Sequence, residues 1–231
     1  MTMLKKYKTI LFDIDDTLLD FQLAQQTAFK KLLEYFNIPY CSKHYLDYQE
    51  INKQLWSQYE QGTLSKSEVL SQRFSLFFKR FNLEIDANHT DVLYRQWLSS
   101  GNQLFSDTLH VVQTLAKTHQ LAIITNGVHD TQISRLKNNQ LYPFFKERIF
   151  ISDSIGYQKP DIRFFDYVLD ALTITDKQSV LIIGDSLQAD IYGGNLSQID
   201  TCWITPKHRS YSKNICPTHV ISSLSELLQD K

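Results

Sequence analysis

Short runs of consecutive apolar residues recur along the chain, and most are followed by polar or turn-forming residues and then by a helical pattern. The runs occupy residues 9–13, 121–125, 149–151, 180–184, 201–204 and 219–221. Apolar side chains at consecutive positions predict strands that are covered on both faces, as in a parallel sheet.

The segments between the later strands have helical periodicity. They span residues 107–118, 129–139, 160–171 and 187–197. Strands that alternate with helices predict an α/β fold, with a doubly wound parallel sheet and right-handed crossover connections.

The long connection between residues 13 and 121 breaks this alternation. Phe21, Ala24, Ala28 and Leu32 recur at near-helical spacing, and further helical patterns run through residues 42–60, 66–81 and 88–100. A connection of this length is not a simple loop in a compact domain. We therefore expect residues 1–18 and 101–231 to form the α/β core and residues 19–100 to form an inserted all-helical domain.

Composition and charge narrow the range of partners. The 231 residues include 24 Lys and Arg against 25 Asp and Glu, so the formal net charge is 24 − 25 = −1. This balance argues against a general nucleic-acid binder or an anionic-membrane binder. There is no apolar run of about 18 residues, and the three cysteines are widely spaced without a CxxC pair. The default expectation is a soluble cytoplasmic protein.

Polar residues that carry chemistry follow the predicted strands. They are Asp13, Asp15, Thr125, Asn126, Lys159, Asp185 and Asp190. Ligands of doubly wound sheets bind at the carboxyl ends of the strands, so these side chains should converge on one site. Carboxylates, a lysine and a hydroxyl suit a divalent cation and a phosphate, and hard oxygen ligands favour Mg²⁺.

Four motifs in this order resemble those of the haloacid dehalogenase-like hydrolases. They are Asp13-Ile-Asp15-Asp-Thr17, Thr125-Asn126-Gly127, Lys159-Pro160 and Gly184-Asp185-Ser-Leu-Gln-Ala-Asp190. Each motif alone has a structural explanation, such as an aspartate that caps a helix. Their joint order, each near the end of an apolar strand and around a helical insertion, favours the functional interpretation. The resemblance implies a Rossmann-like hydrolase core with an inserted helical cap.

The resemblance also implies roles for these residues. Asp13 is expected to attack phosphorus and form an aspartyl-phosphate, and Asp15 to protonate the leaving oxygen and then activate water. Thr125, the backbone N–H of Asn126 and Lys159 are expected to bind the phosphoryl group.

The same resemblance implies a magnesium site. Its expected ligands are the Asp13 carboxylate, the backbone carbonyl of Asp15 and the Asp185 carboxylate. Asp190 is expected to orient the metal waters or Lys159 from outside the first set of ligands.

The insertion lies at the cap position of subfamily I of these hydrolases. The stretch 47–62, residues 201–204, His208, Arg209 and the tail 217–227 are similar to the noncanonical pyrimidine nucleotidase branch. That similarity implies hydrolysis of pyrimidine nucleoside monophosphates. Phe21, Trp56 and Tyr59 are then candidates for stacking on the base.

Other functions stay open at this point. A phosphatase for small sugar phosphates or for phosphoglycolate shares all four motifs and differs only in the cap, and a phosphomutase uses the same aspartyl chemistry. A signalling receiver-type module also gathers acidic residues, a threonine and a lysine at strand ends. Such modules are roughly half this length, and their acidic pair and phosphoacceptor lie on different strands.

Overall fold

The structure is a computed structural model that describes residues 3–101, 103–205 and 214–229. The chain divides into two compact units, one formed by Met1–Phe21 and Gly101–Lys231 and the other by Gln22–Ser100. The first unit thus extends to Phe21, beyond the boundary that we expected after residue 18, and Leu18 and Leu19 are fully buried in its core. His208 and Arg209 lie outside the described residues.

The first unit is built on a six-stranded parallel sheet. Its strands are β1 (Thr9–Phe12), β2 (Gln120–Thr125), β3 (Ile149–Ile151), β4 (Val180–Gly184), β5 (Asp200–Ile204) and β6 (His219–Ile221). Their order in the sheet is β3-β2-β1-β4-β5-β6, and every neighbouring pair is parallel. All six predicted strands are confirmed. After β3 the chain crosses to the other side of β1, so the order of strands reverses between β1 and β4.

Helices occupy both units. They are α1 (Phe21–Tyr35), α2 (Ser42–Glu60), α3 (Lys66–Lys79) and α4 (Ala87–Leu98), then α5 (Thr108–Leu115), α6 (His129–Asn138), α7 (Tyr142–Phe145), α8 (Ser152–Ile155), α9 (Ile162–Ala171) and α10 (Gly193–Leu196). Within the described ranges, no helix combines the length and apolar character that crossing a membrane requires.

The sheet is apolar on both faces, and helices cover each face. Leu11 of β1 belongs to one buried cluster together with Phe164 and Val168 of α9. Its neighbour Phe12 belongs to a second cluster together with Val111 of α5. Successive strand residues point to opposite faces, so a strand between two helical layers must be apolar at every position. The doubly wound α/β core is confirmed.

The second unit is a bundle of helices with an aromatic core. Phe29 stacks on Tyr48 with ring centroids 4.6 Å apart, and Tyr48 stacks on Phe74 at 5.3 Å. A buried ion pair joins Arg73 to Asp91 with an N–O distance of 2.5 Å. The predicted all-helical character of this insertion is confirmed.

One predicted helix differs in detail. Residues 187–197 form a π-helical turn, Leu187–Tyr192, followed by the short α10. The backbone N–H of Ile191 donates to the carbonyl of Ser186, five residues earlier, at 3.2 Å. The side chain of Asp190 in turn accepts from the Ser186 N–H at 3.1 Å. The turn is therefore widened where it places Asp190, as π-bulges often are at functional positions.

Candidate active site

Two aspartates follow neighbouring strands at the point where the strand order reverses. Asp13 comes directly after β1, and Asp185 comes directly after β4. The backbone N–H of Asp13 donates to the carbonyl of Ile183 in β4 at 2.9 Å. Carboxylate oxygens of Asp13, Asp185 and Asp190 all lie within 4.8 Å of one another. Three of the predicted site residues therefore meet in the crevice where ligands of such sheets bind.

Lys159 lies among these carboxylates. Its ammonium donates to Asp13 Oδ1 at 2.8 Å, to Asp190 Oδ1 at 2.6 Å and to the carbonyl of Ile124 at 2.9 Å. The residue is only 1% exposed. Because all three ammonium hydrogens have acceptors, the charge is compensated and its position is fixed.

Burial and charge act on the pKa values of this cluster in opposite directions. Burial, together with the nearby carboxylates, raises the pKa of Asp13 to about 7, although Lys159 acts to lower it. Burial and the neighbouring carboxylates also raise the pKa of Asp185 well above its usual value. Burial lowers the pKa of Lys159, but Asp13 and Asp190 raise it more, so the net change is upward. The lysine therefore carries its charge at neutral pH.

Asp190 is held in place by its contacts on both oxygens. Oδ1 accepts from Lys159, and Oδ2 accepts from the backbone N–H of Ser186. Its side chain packs directly against Gly184, where a Cβ atom would lie 2.2 Å from Oδ2. Glycine at that position is what lets the carboxylate come this close to the end of β4.

Asn126 fixes the backbone that carries Lys159. The Asn126 side chain donates to the Lys159 carbonyl at 2.9 Å and accepts from the Lys159 N–H at 2.9 Å. The peptide bond between Lys159 and Pro160 is cis. The reciprocal pair joins the loop after β2 to the loop that precedes α9.

The hydroxyl of Thr125 has its acceptor capacity filled. Its Oγ1 accepts from the backbone N–H of Gly127 at 3.1 Å and from Gln132 Nε2 at 3.0 Å. A threonine hydroxyl has two acceptor lone pairs and one donor hydrogen. Here the remaining capacity is donation, which is what binding a phosphoryl oxygen requires.

Asp15 is held by two side chains of α6. Its Oδ1 accepts from Arg135 Nη1, and its Oδ2 accepts from Gln132 Nε2 at 2.8 Å. Arg135 is fully buried and donates from Nε to the side chain of Gln103 at 2.8 Å. Its guanidinium lies 5.5 Å from the ring centroid of Phe21. Phe21, one of the candidates for stacking on the base, therefore lies next to a residue that holds Asp15.

The acidic cluster fits a divalent cation. Three carboxylates, whose hard oxygens are the ligands that Mg²⁺ prefers, surround a single ammonium, so negative charge is in excess. Burial first, and then repulsion between these carboxylates, raises the pKa values of Asp13 and Asp185, and a bound cation would oppose both effects. Asp190 already has donors on both oxygens, which suits a residue that orients Lys159 more than a direct ligand.

The two other candidate substrate residues lie in the second unit, on α2. Trp56 is half-buried and meets Tyr59 edge to face, with ring centroids 5.6 Å apart. Tyr59 is buried, and the ammonium of Lys66 lies 5.3 Å from its ring centroid. Of the two, Trp56 presents more ring surface, and a role in substrate binding stays a prediction for both.

Sequence reasoning missed Gln132, Arg135 and Trp203. The Trp203 indole donates from Nε1 to the backbone carbonyl of Asp185 at 2.8 Å and so supports the loop after β4. Gln132 and Arg135 lie on the face of α6 that the structure buries, together with Thr131 and Leu136. Polar residues at buried helical positions need partners in the interior, and here they find them at the site.

Comparisons with known proteins agree with this geometry. The sequence profile of the haloacid dehalogenase-like hydrolases matches residues 10–204. The HAD-hydrolase YfnB of Bacillus subtilis is 41% identical, with 97% of this chain and 95% of that protein covered. A crystal structure of YfnB bound to magnesium superposes with a TM-score of 0.91, covering 96% of this chain and 97% of that one.

Two further relatives have named activities. The pyrimidine 5′-nucleotidase PynA of Streptococcus pneumoniae is 35% identical over 96% of this chain and 94% of that protein. The pyrimidine 5′-nucleotidase YjjG of Escherichia coli is 29% identical over 97% of each chain. The profile match and these full-length similarities show that the chain belongs to the haloacid dehalogenase-like hydrolases.

Proposed function

We propose that this hydrolase is a magnesium-dependent phosphomonoesterase that works through an aspartyl-phosphate on Asp13. The observation that carries the proposal is the Asp13 carboxylate, buried at the carboxyl end of β1 and paired with Lys159 at 2.8 Å. A carboxylate placed in this way can attack phosphorus only if nearby positive charge offsets the phosphate's negative charge. Membership of a hydrolase family favours this reaction over a receiver-type module.

In the first step, an Asp13 oxygen forms a bond to phosphorus while the bond from phosphorus to the leaving oxygen breaks. Asp15 gives its proton to that oxygen, which leaves as an alcohol. Asp15 is suited to this task because its side chain is 31% exposed, so it is accessible at the site, and both of its oxygens are held in position.

Thr125 and Asn126 bind the phosphoryl oxygens, and Lys159 acts on them through its charge, because its three hydrogens already have acceptors. The Thr125 hydroxyl acts as a donor because its lone pairs are already occupied. The Asn126 side chain is engaged with the Lys159 backbone, which supports giving the phosphate contact to the Asn126 backbone N–H. The Lys159 ammonium neutralises charge beside Asp13.

In the second step, a water molecule attacks the phosphorus of the aspartyl-phosphate. Asp15, now ionised, takes a proton from that water, and the bond between phosphorus and the Asp13 oxygen breaks. The products are inorganic phosphate and the free Asp13 carboxylate, with Asp15 protonated for the next substrate.

The Asp13 carboxylate, the Asp15 backbone carbonyl and the Asp185 carboxylate would hold Mg²⁺, with Asp190 behind them. When bound, the ion supplies positive charge that offsets the phosphate oxygens. The magnesium-bound relative YfnB and the acidic cluster of this chain support the assignment.

We propose pyrimidine nucleoside monophosphates as the substrates. Two relatives that match nearly the whole chain, PynA and YjjG, are named pyrimidine 5′-nucleotidases. In this proposal residues 19–100 act as a cap, and Phe21 and Trp56 contact the nucleoside, with Tyr59 supporting Trp56.

The test is release of inorganic phosphate in the presence of Mg²⁺ from a substrate panel. The panel contains UMP, dUMP, dTMP, purine monophosphates, sugar phosphates, glycolate phosphate and an aryl phosphate. We expect the pyrimidine monophosphates to give the highest kcat/KM and Asp13→Asn to abolish turnover on all of them. Preference for a sugar phosphate or for glycolate phosphate would refute the nucleotidase assignment and retain the chemistry. Full activity in Asp13→Asn would refute the mechanism.

A further inference from the structure

Two side chains of α6, Gln132 and Arg135, contact the carboxylate of Asp15. We infer that Gln132 and Arg135 are positioning residues that hold the acid/base Asp15 in the orientation needed to protonate the leaving oxygen. The inference rests on the proposed function, because it assigns these two residues a task within that reaction. Neither residue belongs to the four sequence motifs.

The contacts hold both oxygens of the Asp15 carboxylate. One oxygen is bound by Arg135 Nη1 and the other by Gln132 Nε2, so rotation of the carboxylate about its own axis is blocked. Gln132 and Arg135 are three residues apart on one helix and therefore lie on the same face. A general acid works only when its proton is close to and aligned with the leaving atom, and such geometry has to be held to within about 0.5 Å.

The two positioning residues are themselves fixed. Arg135 Nη1 also donates to Gln132 Oε1 at 2.9 Å, and Gln132 Nε2 also donates to Thr125 Oγ1 at 3.0 Å. Every polar atom of the Gln132 amide is therefore used. On the other side, Arg135 Nε donates to Gln103 Oε1, and the backbone N–H of Gln103 donates to Asn139 at 2.7 Å.

The burial of Arg135 indicates that its contact with Asp15 has a role other than packing. Arg135 is fully buried, and its Nη2 atom has no hydrogen-bond partner among the described residues. A buried donor without a partner is destabilising. The Asp15 side chain is 31% exposed, so water alone can solvate its charge and the guanidinium is not needed for that. A locally unfavourable residue beside a reacting group is typical of functional sites.

Protonation of the leaving oxygen matters most for poor leaving groups. A nucleoside 5′-oxygen leaves as a strongly basic alkoxide unless it is protonated, whereas p-nitrophenolate leaves without help. The ratio kcat/KM covers the steps up to loss of the leaving group and excludes later hydrolysis of the aspartyl-phosphate. A misplaced Asp15 should therefore lower kcat/KM for the nucleotide and have little effect on kcat/KM for p-nitrophenyl phosphate.

The experiment compares UMP with p-nitrophenyl phosphate in Gln132→Met, Arg135→Met and Arg135→Lys. We expect Arg135→Met to lose about 10²-fold in kcat/KM for UMP, the scale of a displacement of about 1 Å, and far less for p-nitrophenyl phosphate. Gln132→Met also removes a contact to the phosphate-binding Thr125, so it should lower kcat/KM for both substrates, but more for UMP. Arg135→Lys keeps a cation and should recover part of the UMP activity. Asp15→Asn should show the same pattern more strongly. Lys137→Gln is the matched control, because it removes an exposed cation from the same helix. It should leave kcat/KM unchanged for both substrates.

Each outcome can be told apart. Equal losses on both substrates, with or without a lower melting temperature, would show a role in folding or phosphate binding and would overturn the inference. Equal losses in Asp15→Asn would remove Asp15 as the acid and the inference with it. A wild-type protein that releases phosphate from neither substrate would refute the proposed function itself.

Discussion

Replacing Lys159 by methionine should destabilise the protein strongly, because it leaves buried carboxylates without their cation. The Lys159 ammonium is bound to Asp13, Asp190 and the Ile124 carbonyl, and the residue is 1% exposed. Methionine keeps an unbranched apolar side chain, one atom shorter, and removes the charge and the donors. Removing one member of a buried ion pair is destabilising by about 3–5 kcal/mol. Two carboxylates lose their partner here, so we expect a loss near the upper end of that range at pH 8.

The loss should depend on pH in a defined direction. The pKa of Asp13 is raised from 3.8 to about 7 in the folded protein, so ionised Asp13 opposes folding above pH 7 and does so less as the pH falls towards 3.8. Lys159 acts to lower that pKa, and its removal should raise it further. Below pH 7 Asp13 is therefore protonated in both proteins, and the difference in the free energy of unfolding should shrink.

Urea unfolding of the metal-free proteins at pH 8 and pH 5.5 measures this difference. Lys159→Met combined with Asp190→Asn removes one of the two unpaired charges and should recover part of the stability. Lys137→Met, at an exposed position, should have little effect. A loss in Lys159→Met below about 1 kcal/mol at pH 8, the scale of an exposed pair, would refute the reasoning. So would a loss of the same size at both pH values.

Two further substitutions test contacts on β5 and near the amino-terminal edge of the sheet. Trp203→Phe removes the indole donor to the Asp185 carbonyl and should weaken Mg²⁺ binding about 10–100-fold. Titration of Mg²⁺ into the activity assay measures this, and an unchanged midpoint would contradict the support that Trp203 gives to the Asp185 loop. Tyr7→Phe removes the hydroxyl that donates to Asp200 at 2.8 Å and should lower stability by about 1 kcal/mol at pH 7. Burial raises the pKa of Asp200, but hydrogen bonds from Lys6 and Tyr7 lower it more, so this part of the stabilisation is lost as the pH falls below 3.8. The same hydroxyl also contacts His219 Nε2 at 3.0 Å, so the result that would count against it is a difference in thermal melts as large at pH 2 as at pH 7.

The strands and the polar residues that follow them could be predicted because the physics there is local. A strand such as β4, covered on both faces, has to be apolar at each position, so its run ends where the chain leaves the sheet. Asp185 is the first residue after that run and Asp13 is the first after β1. Parallel strands bring such residues to the same edge without any knowledge of the packing around them.

The residues that hold the site together could not be predicted in this way. Whether Gln132 reaches Asp15 depends on how α6 packs on the sheet and on the rotation of α6 about its own axis. The local pattern of apolar residues determines neither. The same holds for Trp203, whose strand position is clear but whose indole reaches Asp185 only because β5 lies next to β4. A buried polar residue in a helix signals that a partner exists, but only the fold identifies that partner.

The motif residues are held by one another, so a substitution at one of them also affects its neighbours in the site. Lys159 joins Asp13 to Asp190, Asn126 holds the backbone of Lys159, and Gln132 joins Thr125 to Asp15. A change at Asn126 therefore acts on Asp13 through Lys159 without touching it. Residues in one hydrogen-bonded network are coupled by roughly 0.5–3 kcal/mol, so losses measured for single variants should not add. The share of each residue has to come from double-mutant cycles between neighbouring members, with Asn126 and Lys159 as the first pair because their contact is reciprocal.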